Sequence, residues 1–419
     1  MELRKLMVIG ATAGLISGLA ACGSGDSGGV ALVSGAKYIS GPITAFGSVY
    51  VNGARYNTDN ATVYVENNMA SESELRVGMM VTVKESSNGS AAEIHFDDDL
   101  EGYVISSDVG IDGIGVMNVM GQEVTITTDT IFESKVDLIT DVAGVSEGNV
   151  VEVSGYSTGT GAITATRLEV KAVSLTDYLK DHTNGVEVKG VVAAHSEGSH
   201  TFTIGSLTVN YAGATLDDMP VGNWDGLYVE AKSRLELNSQ NQLVAFKVEL
   251  EDDGAKGKHG DEDDEVEVYG EVTAVTGTTV TVNGQTFQLD VSLEYEHGGR
   301  ADLIAGAMIK LEAYVNNAGQ LVAKEIEFAD DESQNKELKG YVSTIDHSDT
   351  NVGTIEIDGA GFQINNSTIM HDDRDENGAT PDTHFNLSKL SVGEYIEVHY
   401  VTNGDGTFTA TKLEREDPL

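Results

Sequence analysis

The residues best suited to chemistry in this chain lie in a short acidic segment near its C-terminal end. Four of them follow the spacing of calcium ligands and their turn residue: Asp373, Asp375, Asn377 and Gly378. Oxygen ligands at loop positions one, three and five with glycine at six are typical of the first half of an EF-hand loop. Position twelve is His384, so Asp382 or Asp372 would have to supply the missing carboxylate. The spacing predicts either a weak calcium site or a bare acidic surface loop.

The second chemically distinctive residue is the only cysteine, Cys22. It ends a short motif of small and apolar residues: Leu19, Ala20, Ala21 and Cys22. The motif closes an apolar run that follows Arg4 and Lys5, an arrangement typical of a secretory signal. The run, 6–21, is shorter than the roughly 20 residues that a spanning helix needs. A cleaved signal with an incidental cysteine and an uncleaved membrane helix are the alternatives.

The motif ending at Cys22 resembles the bacterial lipoprotein signal. The resemblance implies that 1–21 is a signal peptide and that Cys22 becomes the lipid-bearing first residue of the mature protein. Residues 22–36 would then be the lipidated cysteine and a flexible tether, since 23–29 are glycine, serine and aspartate only. Gly23 resembles the pattern of lipoproteins exported to the outer membrane. We therefore expect a lipid-anchored outer-membrane protein that faces the periplasm or the cell surface.

The charge balance limits the partners of the chain. Lys and Arg number 25 against 68 Asp and Glu, which gives a net charge of −43. Such a body repels phosphate backbones, so we expect no nucleic-acid partner.

A pattern of short strands recurs five times along the chain. Each copy has an opening Gly-x-Val strand, a central strand that ends in Asn-Gly or Gly, a Val-Gly-x-x-Val-x-Val strand and a closing Ala-x-x-Ile-Glu strand. The predicted repeats are 37–97, 98–172, 185–250, 265–329 and 337–418, with an acidic linker at 251–264 and the acidic insert in the fifth repeat. Apolar and polar residues alternate in these strands, and barrel closure would remove their exposed edges. We predict an all-β chain: a tandem array of about five small OB-like β-barrel domains after a lipoprotein signal peptide.

This repeated pattern resembles the domain-of-unknown-function 5666 family, which occurs as tandem repeats in bacterial envelope lipoproteins. The resemblance covers about 37–418 and implies a fold, but it offers no catalytic residues to carry over.

Other motifs do not assemble an active site. Ser157 lies in a Gly-x-Ser-x-Gly sequence, but between two hairpin strands rather than between a strand and a helix. His371 and His384 flank the acidic insert and could form a transition-metal pair or remain solvated loop histidines. We expect a protein that is not an enzyme. It would be a binding or scaffold lipoprotein, an acidic rod that offers its loops to an envelope protein, a glycan or a cation. The alternative is an accessory subunit that positions an envelope enzyme or secretion partner.

Overall fold

The computed structural model describes residues 36–66, 68–86, 88–157, 161–251, 265–283, 285–316, 320–328, 336–374, 380–403 and 405–418. Strands dominate these residues, as predicted. In repeat 1 the strands β1 to β7 are, in order, Lys37–Phe46, Val49–Val51, Ala54–Tyr56, Thr62–Val65, Asn68–Ala70, Met80–Glu85 and Ala91–Phe96. In repeat 2 the strands β8 to β13 are Leu100–Val109, Gly115–Val119, Gln122–Ile126, Ile131–Ser134, Val150–Ser157 and Ala162–Ala172.

The three remaining repeats contain seven, five and six strands. In repeat 3 the strands β14 to β20 are Val186–Ser196, Thr201–Ile204, Leu207–Asn210, Thr215–Asp217, Tyr228–Ser233, Gln242–Val244 and Lys247–Leu250. In repeat 4 the strands β21 to β25 are Glu265–Val275, Thr279–Val282, Gln285–Glu296, Met308–Val315 and Leu321–Phe328. In repeat 5 the strands β26 to β31 are Lys336–His347, Gly353–Ile357, Ala360–Ile364, Ile369–Asp372, Tyr395–Thr402 and Phe408–Arg415.

Helices are short. The helix α1, Leu175–Tyr178, follows repeat 2, and 3₁₀ turns occupy Glu72–Glu74, Val142–Gly144 and Leu387–Lys389. Within the described ranges, no helix has the length and apolar character needed to cross a membrane.

Three of the repeats close into five-stranded barrels. In repeat 4, β21 pairs with both β22 and β24, which completes a ring through β23 and β25. Repeats 2 and 5 close in the same way, through β8 and β26. Repeat 1 stays open because β3 pairs only with β2, and in repeat 3 the closing strand is divided into β19 and β20. The prediction of tandem OB-like β-barrels is therefore confirmed, with two of the five less regularly closed.

In repeats 1, 2, 4 and 5 the opening glycine makes room for the hairpin turn of the same repeat. In repeat 1, Asn52 and Gly53 have φ values of 51° and 75°, the positive values that a type I′ turn requires. The Asn52 side chain folds back over Gly41 and donates to the Ser40 carbonyl at 3.1 Å. A Cβ on Gly41 would lie 2.0 Å from Asn52 Oδ1. The opening glycine and the turn asparagine are thus one packing unit.

We expect Gly270→Ala in repeat 4 to lower the free energy of unfolding by about 1–3 kcal/mol, because a Cβ there would lie 2.2 Å from Asn283 Oδ1. The Asn283 side chain would have to leave the Tyr269 carbonyl, to which it donates at 2.9 Å. Urea unfolding measures the change. Gly277→Ala is the matched control, since nothing lies within 4 Å of a Cβ there. Full stability in Gly270→Ala, or no recovery when Asn283→Gly is added, would contradict this packing.

The five repeats do not form a rod. Residues 34–419 are one compact unit, in which repeats distant in sequence are hydrogen-bonded. Strand β1 pairs in parallel with β21 of repeat 4, from Lys37 opposite Glu265 to Ser40 opposite Val268. Strand β8 pairs with β14, so repeats 2 and 3 share one sheet and one continuous hydrophobic core. The expected linear arrangement is wrong because strand edges and side chains of one repeat complete another.

Side chains that cross between repeats explain this compactness. Tyr50 of repeat 1 is fully buried in the core of repeat 5. Ile131 of repeat 2 packs in the core of repeat 1. Asn351 of repeat 5 donates to the Phe46 carbonyl at 3.2 Å and accepts from the Leu387 amide. Each of these contacts removes apolar or polar surface that an isolated barrel would leave exposed.

Candidate functional site

A cavity of about 700 Å³ lies where repeats 1, 2, 4 and 5 meet. Its lining comes from 42–44, 52–53 and 78 of repeat 1; 127–129, 131, 156 and 164–166 of repeat 2; 269, 271, 306, 308, 310 and 327–328 of repeat 4; and 365, 367, 369, 401 and 409–411 of repeat 5. The volume falls within the range of roughly 300–1,000 Å³ that small-molecule sites occupy. Because four repeats supply its walls, the cavity exists only in the assembled body.

Repeats 2 and 5 contribute the same structural elements to this cavity. The closing strands of both carry Thr-Ala-Thr, at 164–166 in β13 and 409–411 in β31. The central alanines, Ala165 and Ala410, are buried, so the flanking threonines point to the opposite face. A threonine of the preceding loop fixes each strand: Thr130 donates to the Ala165 carbonyl at 2.7 Å and Thr368 to the Ala410 carbonyl at 2.8 Å. Hydroxyl groups therefore project into the cavity from two of its sides.

Aromatic and charged side chains complete the wall. Tyr156 of repeat 2 and Tyr269 of repeat 4 meet edge to face, with ring centroids 6.0 Å apart. Thr164 donates to Glu271 at 3.4 Å, which joins the same two repeats. Lys310 pairs with Glu327 at 2.7 Å. The wall thus combines rings, hydroxyls, one ion pair and two further carboxylates, Asp129 and Glu271.

A second polar centre lies between repeats 1, 2 and 3, around the ammonium group of Lys189. Its Nζ atom is 3.6 Å from Glu187 Oε1, 3.7 Å from Glu230 Oε1 and 3.9 Å from Asp98 Oδ1. These distances exceed a direct hydrogen bond. Asp98, Glu187 and Glu230 are all at most 4% exposed. We call these four residues, together with Glu66, the Lys189 cluster.

Burial and neighbouring charges move the pKa values of Asp98 and Glu187 in the Lys189 cluster in opposite directions. No donor of the described residues reaches Asp98 Oδ1 or Glu187 Oε1, while the two carboxyl groups contact each other. Two ionised carboxylates only accept hydrogen bonds, so one of the pair carries a proton. Burial raises the pKa of Asp98 well above its usual value. Burial also opposes the charge of Glu187, but Lys189 and the neighbouring Asp98 lower its pKa to about 2.

Two further carboxyl groups of this centre have pKa values raised toward neutrality. Burial raises the pKa of Glu66 to about 7, and burial together with the charge of Glu187 raises the pKa of Glu230 to about 7. Oxygens of Glu66, Glu187 and Glu230 lie within 4.8 Å of one another. Lys189 and Lys232 both pair with Glu187 and Glu230, and the charge of Lys189 also lowers the pKa of Glu66, so two lysines serve this group as its cations.

A third charged group lies on the outer face of repeat 5. Glu397 and Glu414 are opposite each other on β30 and β31, and His399 bonds Glu397 at 3.1 Å while His371 bonds Glu414 at 3.0 Å. Lys339 reaches Glu397 at 2.7 Å, and Lys412 reaches Glu414 at 2.9 Å. Each carboxylate therefore already has a histidine and a lysine, and the group works as an ion-pair network within repeat 5.

The structure places only part of the predicted calcium loop. Asp375 and Asn377 lie outside the described residues, whereas Asp373 and Asp382 lie within them. The Asp382 carboxylate accepts from the Lys389 ammonium at 2.7 Å and from the His384 amide at 3.1 Å. Asp372 is buried and bonded by Arg374 and Arg415. Both side chains considered for the missing ligand are therefore engaged by basic groups.

The remaining sequence motifs have simple structural roles or fall outside the described residues. Leu19, Ala20, Ala21 and Cys22 lie outside them. Ser157 ends β12 within an antiparallel pairing with β13, so the strand does not lead into a helix. His371 bonds Glu414, while His384 packs edge to face on Phe46 at 4.0 Å.

The cavity and the Lys189 cluster were not foreseen from the sequence. The charged residues of the cluster alternate with apolar ones along β14 and β18, the pattern of a strand with one solvated face. The repeated Thr-Ala-Thr at 164–166 and 409–411 is visible in the sequence. This repeated tripeptide is the sequence signal that repeats 2 and 5 contribute the same element to the cavity.

Comparison with known proteins identifies the repeats. Residues 40–94, 101–169, 269–327 and 339–414 each match the family model "Domain of unknown function (DUF5666)". Among curated proteins, none matches the chain.

Two solved structures resemble parts of the chain. One is "drosophila Unr CSD456", with 11% identity, coverage of 55% of this chain and 97% of that chain, and a TM-score of 0.13. The other is a Streptococcus pneumoniae "multidomain protein with nucleic acid binding domains", with 11% identity, coverage of 55% of this chain and 74% of that chain, and a TM-score of 0.16.

The unmatched third repeat has the same order of hairpin, third strand and closing strand as its neighbours. The four matched segments together make up more than half of the 419 residues. The chain belongs to the DUF5666 family.

Proposed function

We propose that this protein is a lipid-anchored, non-catalytic binding protein of the bacterial outer membrane, and that its ligand occupies the cavity between repeats 1, 2, 4 and 5. The observation that carries the proposal is the cavity itself, about 700 Å³ with walls from four repeats. Concave sites of this size at domain junctions are where proteins most often bind small molecules. The tandem repeats would then exist to build one shared site.

The chemistry of the lining supports binding rather than catalysis. Its residues include no histidine and no cysteine among those that the structure describes. The Thr166 hydroxyl donates to the Gly78 carbonyl at 2.6 Å, a backbone partner that cannot act as a general base. The lining therefore offers hydrogen bonds and apolar contact without an activated nucleophile.

The anchoring part of the proposal is tested at Cys22. We propose that the mature protein begins at this residue with acyl chains attached, and stable anchoring requires more than one chain. Cys22→Ser should move the full-length protein from the membrane to the aqueous fraction, with Ser27→Ala as a control that leaves it in the membrane. Mass spectrometry of the wild-type N-terminal peptide must show acyl mass. A processed chain without that mass would disprove the anchor.

The binding part is tested by filling the cavity. Thr164→Trp places an indole among the lining residues, whereas Thr354→Trp makes the same change at an exposed position of β27 outside the lining. Immobilised full-length variants are exposed to detergent-solubilised envelope extract, and the retained low-molecular-mass material is compared by mass spectrometry. We expect material that wild type and Thr354→Trp retain and Thr164→Trp does not. Equal retention by all three would contradict the cavity as the site.

A weak calcium site in the fifth repeat is a separate part of this proposal. The expected ligands are Asp373, Asp375 and Asn377, with Asp382 as the fourth once it leaves Lys389. Calorimetry with calcium should show one saturable event with a dissociation constant on the order of 10⁻⁴ to 10⁻³ M. The event should vanish in the double variant Asp373→Ala with Asp375→Ala. A titration that the double variant leaves unchanged would rule the site out.

A further inference from the structure

The cavity between repeats 1, 2, 4 and 5 also indicates what kind of ligand it takes. Its wall carries three carboxylates, Asp129, Glu271 and Glu327, and one ammonium group, Lys310. The whole chain has a net charge of −43. Anionic ligands such as phosphates, nucleotides or acidic sugars would be repelled both over a distance and within the cavity. The ligand is therefore neutral or cationic.

The carboxylates of the cavity are not arranged to hold a bare cation. Lys310 neutralises Glu327 at 2.7 Å, and Glu271 accepts from the Thr164 hydroxyl at 3.4 Å. Within the part of the chain that the structure describes, the groups of three acidic or histidine ligands that come within 4.8 Å of one another lie elsewhere. None of those groups includes a residue of the cavity lining. The carboxylates are instead spaced as separate hydrogen-bond acceptors.

Hydroxyl groups supply most of the polar contacts in the wall. They include the hydroxyls of Thr128, Thr164, Thr166, Ser367, Thr409 and Thr411. A hydroxyl both donates and accepts, so it matches a ligand hydroxyl in either role. Asp129 and Glu271 add carboxylates, which only accept, although the Oδ1 atom of Asp129 is enclosed by protein. Hydroxyl groups that both donate and accept, together with carboxylates that only accept, fit a ligand with many hydroxyl groups.

Aromatic rings give the same wall its apolar surface. Tyr156 and Tyr269 lie at an interplanar angle of 63°, and Phe328 belongs to the same wall as Tyr269. The negative face of an aromatic ring attracts the positive edges of C–H groups, which a sugar ring presents on its apolar face. Rings and hydroxyl groups in one cavity thus match the two kinds of surface that a sugar has.

The geometry points to a neutral oligosaccharide of about two or three sugar units as the ligand of this cavity. The inference rests on the proposed binding function and adds the class of ligand. Tyr156 and Tyr269 stack against sugar rings, Asp129 and Glu271 accept hydrogen bonds from sugar hydroxyls, and the threonines of β13 and β31 bond the remaining hydroxyls. The two strands that carry Thr-Ala-Thr, β13 of repeat 2 and β31 of repeat 5, contact the ligand from two sides of the cavity.

The test uses the full-length chain in a polyoxyethylene detergent, which avoids the sugar headgroups of glycosidic detergents. The probes are maltotriose, cellotriose and triacetylchitotriose as neutral trimers, trigalacturonic acid as the anionic trimer and the glucosamine trimer as the cationic one. Saturation-transfer NMR detects contact and calorimetry gives the dissociation constant. We expect saturable binding of at least one neutral trimer and none of trigalacturonic acid.

Substitutions then assign the binding to the cavity. Tyr269→Ala should weaken binding of the neutral trimer at least tenfold. The matched control Tyr341→Ala, at a tyrosine 55% exposed and outside the lining, should leave binding unchanged. A thermal melt of each variant separates loss of a contact from loss of the fold, and Tyr269→Phe should retain binding if stacking is the main contact.

The outcomes separate this inference from the proposed function. Binding of the glucosamine trimer alone, lost in Thr164→Trp, would overturn the neutral class and leave the cavity as a binding site. Binding of a neutral trimer that survives both Tyr269→Ala and Thr164→Trp would place the sugar elsewhere and overturn the inference. No binding of any neutral trimer to a chain with a native melt would also overturn it, while the envelope-extract comparison decides the proposed function independently.

Discussion

Lys189→Met is expected to lower the free energy of unfolding by about 3–5 kcal/mol at pH 8, the cost of removing one of the two ammonium groups, Lys189 and Lys232, that a buried group of carboxylates shares. The ammonium group of Lys189 lies within 4 Å of Glu187, Glu230 and Asp98. Methionine has a similar length, so the substitution removes the charge and little volume. Lys232 still pairs with Glu187 and Glu230 in the variant, so the loss falls mainly on Asp98, which must then take up a proton or face the neighbouring carboxylates uncompensated.

Urea unfolding, followed by hydrogen exchange in repeats 1 to 3, measures this loss. The matched control is Lys324→Met, because Lys324 is 58% exposed and lies 3.9 Å from its nearest carboxylate. A surface pair of this kind contributes roughly 0–1 kcal/mol. Adding Asp98→Asn to Lys189→Met should restore part of the stability, since it removes one of the uncompensated acids. A loss as small as that of the control would show that Lys189 does not hold the cluster together.

The stability of the native protein is expected to fall as the pH rises from 5 to 8. Burial raises the pKa of Asp99 to about 6 and, as the first cause in each case, raises the pKa of four further carboxyl groups to about 7: Glu66, Glu101, Glu230 and Glu251. A carboxyl group whose pKa is higher in the folded state stabilises the fold below its unfolded pKa. That contribution is lost as the pH passes its folded pKa. A group raised by two units accounts for about 2.7 kcal/mol.

At acid pH we expect the opposite trend, in which the stability of the fold rises with pH. The pKa of Glu187, of Glu169 and of Glu414 is about 2, because nearby lysines, with Arg167 for Glu169 and His371 for Glu414, outweigh the effect of burial. These groups stabilise the fold above their unfolded pKa, and their contribution is lost as the pH falls through the folded value. We therefore expect maximal stability near pH 5.

Urea titrations at pH 4, 5, 6, 7 and 8 and constant ionic strength test this profile. Asp98→Asn should flatten the decline between pH 5 and 8, because the pair of Asp98 and Glu187 would no longer need a proton. Asp59→Asn, at an exposed turn residue of repeat 1, is the control that should leave the profile unchanged. Stability that rises steadily to pH 8 would contradict the protonated cluster.

Local structure followed from the sequence where a single residue type decides the geometry. The pairs Asn52–Gly53 and Asp358–Gly359 predict type I′ turns, and all four residues have positive φ. Alternation of apolar and polar residues placed the strands, as in β22, where Val280 and Val282 are buried. Repeat 3 was recognised from the same alternation, although its turn lacks the asparagine.

The arrangement of the repeats did not follow from the sequence. Alternation tells which side of a strand faces its own barrel, but the other side has the same composition whether it meets water or a second charged barrel. Glu187 and Lys189 therefore look solvated in the sequence, and their burial depends on repeats 1 and 2. Tyr50 is likewise an outward residue of its own hairpin that repeat 5 covers. The cavity is a property of the packed repeats, so no single repeat encodes it.

The parallel pairing between β1 and β21 has a consequence for biogenesis. Ser40 finds its partner only when Val268 has been synthesised, and at roughly 5–20 residues per second that takes tens of seconds. Throughout this interval the nascent chain carries an unprotected β-edge, the kind of surface on which polypeptides aggregate. We therefore expect a chain truncated after the third repeat to aggregate more than the full-length chain, which the soluble fraction of each after expression measures.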